Sequence, residues 1–181
     1  SGSAKVTFTF NASSLKGKTI VVFEELYQED LKLAVHADIT DQDQTIYFPE
    51  IGTTAKDKET DMNLSQADKE VTLVDTVAYK NLLPGEEYVM TGTLMDKETG
   101  KPVEIDKKAV TAETTFTPKE SSGTVDVIFS FDGTSLAGKT VVVFESATYD
   151  GKEFATHADL EDNGQTIYFP EIATTAKDKA D

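Results

Sequence analysis

The sequence predicts an all-β protein built from immunoglobulin-like β-sandwich modules in tandem. Short segments rich in β-branched and aromatic residues run through the whole chain, as is typical of strands. These segments are VTFTF (6–10), TIVVF (19–23), YVMTGTLM (88–95), TVDVIFSF (124–131), TVVVF (140–144) and QTIYF (165–169). Turn residues separate them, for example Leu83-Pro84-Gly85 and Asp150-Gly151. Several short strands at this spacing favour a sandwich with immunoglobulin-like packing.

A long internal repeat indicates how the chain is divided. Residues 1–60 match residues 122–181 at a constant offset of 121, and 33 of the 60 aligned pairs are identical. A period of this length is that of a domain rather than of a solenoid repeat. We therefore predict a complete module at 61–181, with 1–60 as the back half of a preceding, truncated module. The polar segment 56–67 lacks strand periodicity and is interpreted as a short junction, which favours an elongated string of modules.

Composition excludes several classes of partner. The chain has 33 acidic and 17 basic residues, a net charge of −16, which argues against binding to nucleic acid or to an anionic membrane. It has no cysteine, so disulfides cannot stabilise it. No apolar run is long enough to span a bilayer, and the opening SGSAKV is not a signal peptide. We expect no membrane insertion by this segment and any export or anchoring signal to lie outside it.

Three polar residue types recur at identical spacing in the two back halves. They are Glu24, His36 and Gln44 in the first copy and Glu145, His157 and Gln165 in the second. Glu145 shares a strand face with Val141 and Val143, so its carboxylate points inward if the valines do. A buried carboxylate normally has a partner or a raised pKa. Spacing alone nevertheless favours a structural role, because a repeat copies every residue.

An ordered set of motifs changes this interpretation. The motifs are DTVAYKNLLPGEEYVMTGTLMDKETGKPV (75–103), VTAETTFTP (110–118), SGTVDVIFSFDGTSLAGKTVVVFE (122–145), THAD (156–159) and QTIYFPEIATTAKDK (165–179). Together they closely resemble the Thr–Gln ester-bond domains, or VaFE repeats, which form tandem stalks in surface-anchored adhesins of Gram-positive bacteria. The resemblance implies an extracellular, cell-wall-anchored protein whose partners are neighbouring modules, with any host ligand bound elsewhere on the parent protein.

The resemblance also implies an intramolecular ester between a Thr near the first strand and a Gln near the last. Carried over to this sequence, the Thr is Thr76 and the Gln is Gln165. His157 is the natural base for the hydroxyl proton, because its pKa lies near the working pH and an unactivated hydroxyl is a poor nucleophile. Attack on the carboxamide then releases ammonia.

An Asp and a Glu surround the bond in that family. By resemblance, the Glu is Glu145 and the Asp is Asp96, with Asp75 and Asp106 as alternatives. Two carboxyl groups held close together cannot both ionise easily, so one of them should stay protonated. The neutral group could donate a hydrogen bond to the amide oxygen, while the charged one stabilises a protonated histidine.

The first half-module departs from this pattern. It carries Glu24, His36 and Gln44 but neither the Thr strand nor the Asp, so we expect Gln44 to be unlinked within its own chain. Without covering strands, its apolar side chains should lie open and the segment should be poorly ordered or paired with another chain. The side chains concerned are Phe8, Phe10, Val21 and Phe23.

Other functions remain as alternatives. The same sandwich could carry a Lys–Asn isopeptide or no cross-link at all. A calcium-stabilised binding module could use the acidic loop 159–163, although that loop lacks the ligand spacing of an EF-hand. The sequence shows no second catalytic constellation, so we expect no enzyme acting on external substrates, no cofactor and no metal.

Overall fold

The computed structural model describes residues 2–177, and the end of the predicted 61–181 module lies outside the described residues. The strands are β1 (Thr19–Val21), β2 (Glu24–Gln28), β3 (Leu31–His36), β4 (Thr45–Tyr47), β5 (Glu50–Asp57), β6 (Val71–Lys80), β7 (Tyr88–Asp96), β8 (Lys101–Pro102), β9 (Glu104–Ile105), β10 (Lys108–Ala109), β11 (Thr111–Phe116), β12 (Gly123–Phe131), β13 (Thr140–Tyr149), β14 (Lys152–His157) and β15 (Thr166–Tyr168). Two 3₁₀ turns, Ser13–Leu15 and Thr134–Leu136, are the helical segments of this part of the chain, and neither is long enough to cross a membrane.

Two antiparallel sheets form a sandwich in the second part of the chain. The small sheet has the order β12–β6–β5, and the large sheet has the order β11–β7–β13–β14. In the large sheet, β15 pairs with β13 beside β14, and β8 pairs with β7. The predicted all-β, immunoglobulin-like fold is confirmed.

The core lies between these two sheets. A Cβ at Gly92 of β7 would lie 2.5 Å from the ring of Phe129 of β12, so glycine lets the sheets approach closely here. Alternating residues of the facing strands supply the buried apolar side chains. Among the most deeply buried are Leu73, Val77, Met90, Leu94, Val127, Phe129, Val141, Val143, Ile167 and Phe169.

Strand β5 corrects the predicted module boundary. It pairs with β6 along its whole length, from Glu50 opposite Lys80 to Asp57 opposite Leu73. Its Ile51 and Ala55 are buried in the same core. Residues 50–57, which the repeat analysis placed in the preceding half-module, are therefore a strand of the complete sandwich, which begins just after Phe48.

The segment 56–67 contains the last two residues of β5 and a loop of this sandwich, and it is not a junction between modules. The carboxylate of Asp57 accepts hydrogen bonds from the amides of Glu59 and Thr60 and, at 2.7 Å, from the hydroxyl of Ser65. Leu64 forms a parallel bridge with Tyr168 at the edge of β15. The loop is polar because its side chains satisfy its own backbone, which explains the absence of strand periodicity.

Residues 2–48 keep the hairpins of a back half without its other strands. The pairs β1–β4 and β2–β3 reproduce the pairing of β13 with β15 and β14. VTFTF is not a strand, because its counterpart in β12 pairs with β6 and residues 2–48 contain no equivalent of β6. Phe8, Phe10 and Phe23 are 60%, 54% and 48% exposed, as expected, whereas Val21 is partly buried.

Candidate functional site

Three polar side chains lie inside the apolar core of the sandwich. Asp75, Glu145 and Gln165 are 0%, 3% and 0% exposed. Asp75 points inward because it alternates with Leu73 and Val77 on the buried face of β6. Such groups are rarely buried unless they are paired or reactive, so this cluster is the candidate site.

Gln165 is held at the start of β15 by contacts with both sheets. Its Nε2 donates to Oδ1 of Asp75 at 3.0 Å, across the sandwich. Its backbone carbonyl accepts a hydrogen bond from the backbone amide of Val143. The backbone carbonyl of the preceding Gly164 accepts one from the amide of Ala55 in β5. The carboxamide is therefore fixed beside β5 and β6.

Thr53 is the threonine that β5 directs into this region. It lies opposite Val77, whose side chain is fully buried, so it shares the inward face of the sheet with Ile51 and Ala55. A Cβ built on Gly164, the neighbour of Gln165, would be 3.7 Å from the carbonyl oxygen of Thr53. Thr53 thus reaches the cluster from the first strand of the sandwich and Gln165 from the last.

The cluster contains an unusual concentration of unpaired polar atoms. Five buried side-chain oxygens find no hydrogen-bond partner among residues 2–177. They are Oγ1 of Thr53, Oδ2 of Asp75, both carboxyl oxygens of Glu145 and Oε1 of Gln165. Each buried, unpaired group costs about 1–3 kcal/mol, so five of them together distinguish this cluster from the rest of the core.

Burial raises the pKa of both carboxyl groups in the cluster. Burial, followed by the negative charge of Asp75, raises the pKa of Glu145 to about 10, and the nearby Thr53 hydroxyl opposes this shift. Burial also raises the pKa of Asp75, and the nearby Glu145 and the hydrogen bond from Gln165 act against this shift. Near neutral pH, Glu145 is therefore protonated.

A histidine–aspartate pair borders the cluster. His157 lies directly across from Glu145 on β14 and lines a cleft that also contains Gly52, the residue before Thr53. Its Nε2 is 2.7 Å from Oδ2 of Asp162. Burial opposes ionisation of Asp162, but the hydrogen bonds from His157 and the Gly164 amide outweigh it, so the pKa of Asp162 lies below its usual value. Asp162 stays charged and orients the imidazole.

The structure does not bring Thr76 to Gln165. Thr76 follows Asp75 on β6, and successive strand residues face opposite sides of a sheet. Its hydroxyl lies on the outer face and donates to Oδ1 of Asp126 on β12 at 2.7 Å. The Thr that resemblance assigned to the bond is thus on the wrong side of its sheet.

Asp96 also lies outside the cluster. At the end of β7, the amide of Thr99 lowers the pKa of Asp96 below its usual value, and its carboxylate is 3.4 Å from Nζ of Lys139. The alternative Asp106 lies in a turn with a φ of 52°. Of the three candidates, it is Asp75 that contacts Gln165.

Glu145 and Gln165 both lie in the buried cluster, and His157 lies across from Glu145 on β14. Sequence reasoning missed Thr53 and Asp162. Each had a signal in the repeat. Thr53 opens the repeated TTAKDK, and Asp162 follows His157 by five residues, as Asp41 follows His36.

The half-module contains part of the same arrangement. Glu24 pairs across β2 and β3 with His36, whose Nε2 is 2.7 Å from Oδ2 of Asp41. His36 is largely exposed, and residues 2–48 contain no counterpart of β5 or β6 to supply a threonine and an inward aspartate. That Gln44 is unlinked within its own chain stays a prediction.

Metal-binding groups do not cluster in the described part of the chain. Within residues 2–177, no set of three or more His, Cys, Asp or Glu side chains could hold a metal ion. In the loop 159–163, Oδ1 of Asp159 accepts from the amide of Glu161, and Asp162 faces His157.

Solved structures of a bacterial adhesin are similar in fold. The adhesin comes from Mobiluncus mulieris and contains intramolecular disulfide, isopeptide and ester-bond cross-links. In space group P1 the TM-score is 0.54 at 16% identity, covering 68% of this chain and 57% of that one. In space group P21 the TM-score is 0.50 at 17% identity, covering 66% of this chain and 56% of that one. The chain thus spans little more than half the length of the adhesin chains.

A search of curated proteins finds no match. A sequence model of the T-Q ester bond containing domain matches twice, over residues 1–48 and 49–169. The second match starts one residue before β5, where the sandwich itself begins. The chain belongs to the family of T-Q ester bond containing domains.

Proposed function

We propose that residues 49–169 are a self-cross-linking structural module in which Oγ1 of Thr53 forms an ester with the side chain of Gln165. One observation carries the proposal: the buried, unpaired oxygens of both residues lie in one cluster with the buried carboxyl groups of Asp75 and Glu145. This assignment replaces Thr76 by Thr53 and Asp96 by Asp75 and Asp162.

The reaction exchanges an amide for an ester. His157, oriented by Asp162, takes the hydroxyl proton of Thr53 as the oxygen attacks the Gln165 carbonyl carbon. The C–O bond forms, the C–N bond breaks, and the nitrogen leaves as ammonia. Holding nucleophile and amide in contact supplies a high effective concentration. The site reacts once, so the module is not an enzyme.

The carboxyl groups of Asp75 and Glu145 protonate the leaving nitrogen of Gln165. Asp75 already accepts a hydrogen bond from Nε2 of Gln165, the atom that must gain a proton to leave. Neutral Glu145 supplies that proton through Asp75. Protonated His157 then returns the proton taken from the Thr53 hydroxyl to the carboxyl pair, so atoms and charge balance. The apolar wall then slows hydrolysis of the ester by excluding water.

The bond would join the first strand of the sandwich to the last. Tension applied to the ends of the module would pass from β5 to β15 through the ester and bypass the 111 residues between Thr53 and Gln165. A chain without cysteine would gain by this means what a disulfide provides elsewhere.

Such a module suits the stalk of an extracellular, cell-wall-anchored adhesin. Membership of the ester-bond family and the fold similarity to an adhesin support this role. The host ligand would be bound elsewhere on the parent protein, and the partners of this segment would be neighbouring modules.

Mass spectrometry with a chemical cleavage tests the proposal. The folded chain should have the mass of its sequence less one ammonia, and hydroxylamine in denaturant should open the bond. A Lys–Asn isopeptide would show the same loss but resist hydroxylamine. A full sequence mass in correctly folded protein would refute any such cross-link.

A further inference from the structure

Asn81 connects the complete sandwich to the half-module before it. The residue follows β6 in a left-handed conformation, with a φ of 60°. Its Nδ2 donates to the carbonyl of Lys18 at 3.1 Å and to that of Phe48 at 3.2 Å. Both amide hydrogens therefore bind the preceding module at the end of its last strand.

The two carbonyls are presented by a small, fixed structure. The amide of Phe48 donates to the carbonyl of Lys18 at 2.9 Å, and the amide of Gly17 donates to that of Phe48 at 3.0 Å. Each carbonyl oxygen has a second lone pair free for Asn81. Gly17 has a φ of 69°, and a Cβ there would collide with the carboxylate of Glu50, so the junction is closely packed.

The far end of the complete sandwich carries the same structure. The amide of Phe169 donates to the carbonyl of Lys139 at 2.9 Å, and the amide of Gly138 donates to that of Phe169 at 2.8 Å. A Cβ at Gly138 would lie 2.9 Å from Oε2 of Glu171, the repeat counterpart of Glu50. The far end of the complete sandwich thus presents the same pair of carbonyls that Asn81 binds on the half-module.

We propose that Asn81 is the residue that fixes the angle between consecutive modules, and that the carbonyl pair at the end of each module is its docking surface. The partner of the Lys139–Phe169 pair is then the Asn81 end of another such module. Lys80, whose Nζ is 3.5 Å from a carboxyl oxygen of Glu50, pairs with a residue of the same sandwich and does not cross the junction. The inference does not depend on the ester.

Distances between spin labels test the role of Asn81. The chain has no cysteine, so cysteines at the exposed strand positions Ala34 and Thr124 label one site on each side of the junction. The unmutated chain should give a single narrow distance distribution by double electron–electron resonance. Asn81→Asp keeps the size but loses the donors, and Asn81→Gly keeps the backbone conformation. Both should broaden the distribution about twofold or more, since linked domains move unless an interface holds them.

Three controls separate this effect from damage to the sandwich. The distance distribution between labels at Thr124 and Glu153, both in the complete sandwich, should stay narrow in every variant. Asn63→Asp adds the same charge at an exposed site and should change nothing. Thr53→Val should leave the distance distribution across the junction narrow, although it removes the hydroxyl that the ester needs. A broad distribution in the unmutated chain, or a narrow one in both Asn81 variants, would overturn the inference.

Discussion

In a Thr53→Val chain, we expect that the intramolecular bond does not form and that the folded protein keeps the full mass of its sequence. Valine has the shape of threonine without the hydroxyl, so the sandwich should still fold. Closing a loop of about 100 residues stabilises a protein by roughly 5 kcal/mol in the chain-entropy model, and Thr53 and Gln165 are 112 residues apart. Denaturant unfolding of the variant and the cross-linked protein should therefore differ by about this amount.

Neighbouring threonines provide matched controls for this result. Thr53→Ser keeps a hydroxyl in place and should still lose ammonia. Thr54→Val alters the exposed face of β5, and Thr76→Val removes the hydroxyl that binds Asp126, so both should cross-link normally. Full cross-linking of Thr53→Val, or its loss in Thr76→Val, would show that the nucleophile is not Thr53.

Replacing Glu145 by Gln should produce a folded protein with little or no ester. Glu145 is neutral near pH 7, so an uncharged isostere preserves its packing but cannot release the proton that ammonia needs. The same pKa, about 10, predicts a pH dependence in the unmutated chain. The rate of ammonia release from protein refolded before the bond has formed should fall as the pH approaches 10, because Glu145 then loses its proton.

The half-module supplies the control for this substitution. Glu24 is the repeat counterpart of Glu145, and Glu24→Gln should leave the ester between Thr53 and Gln165 unchanged. A Glu145→Gln chain that loses ammonia as fast as the unmutated one would remove Glu145 from the reaction.

The sequence predicted the sandwich because its strands alternate strongly, and it misplaced the module boundary because a repeat defines a period but not a starting point. An offset of 121 is satisfied equally by 61–181 and by 49–169. The polarity of 56–67 suggested the former boundary. The proline after IYF, Pro49 in one copy and Pro170 in the other, marked the true one, since proline interrupts strand pairing.

The site was predicted in part for a related reason. Glu145 lies at an inward position of a strand with one strongly apolar face, so its direction could be deduced. On β6, Asp75 shares a face with Val71, Leu73, Val77 and Tyr79, so alternation favoured Asp75 as the inward residue, whereas the resemblance was carried over to Thr76. Thr53 lay beyond the misplaced boundary, so it was assigned to another module. The place of Thr53 in the same sandwich as Gln165 therefore needed the folded chain.

Peptide mapping of the folded protein tests the central claim most directly. After digestion, one fragment should contain the peptide of Thr53 joined to that of Gln165, with the mass of both peptides less one ammonia, and hydroxylamine should separate it into two. The same digest of Thr53→Val should lack this fragment. A cross-linked fragment containing Thr76 instead of Thr53, or two unlinked peptides from folded protein, would contradict the account.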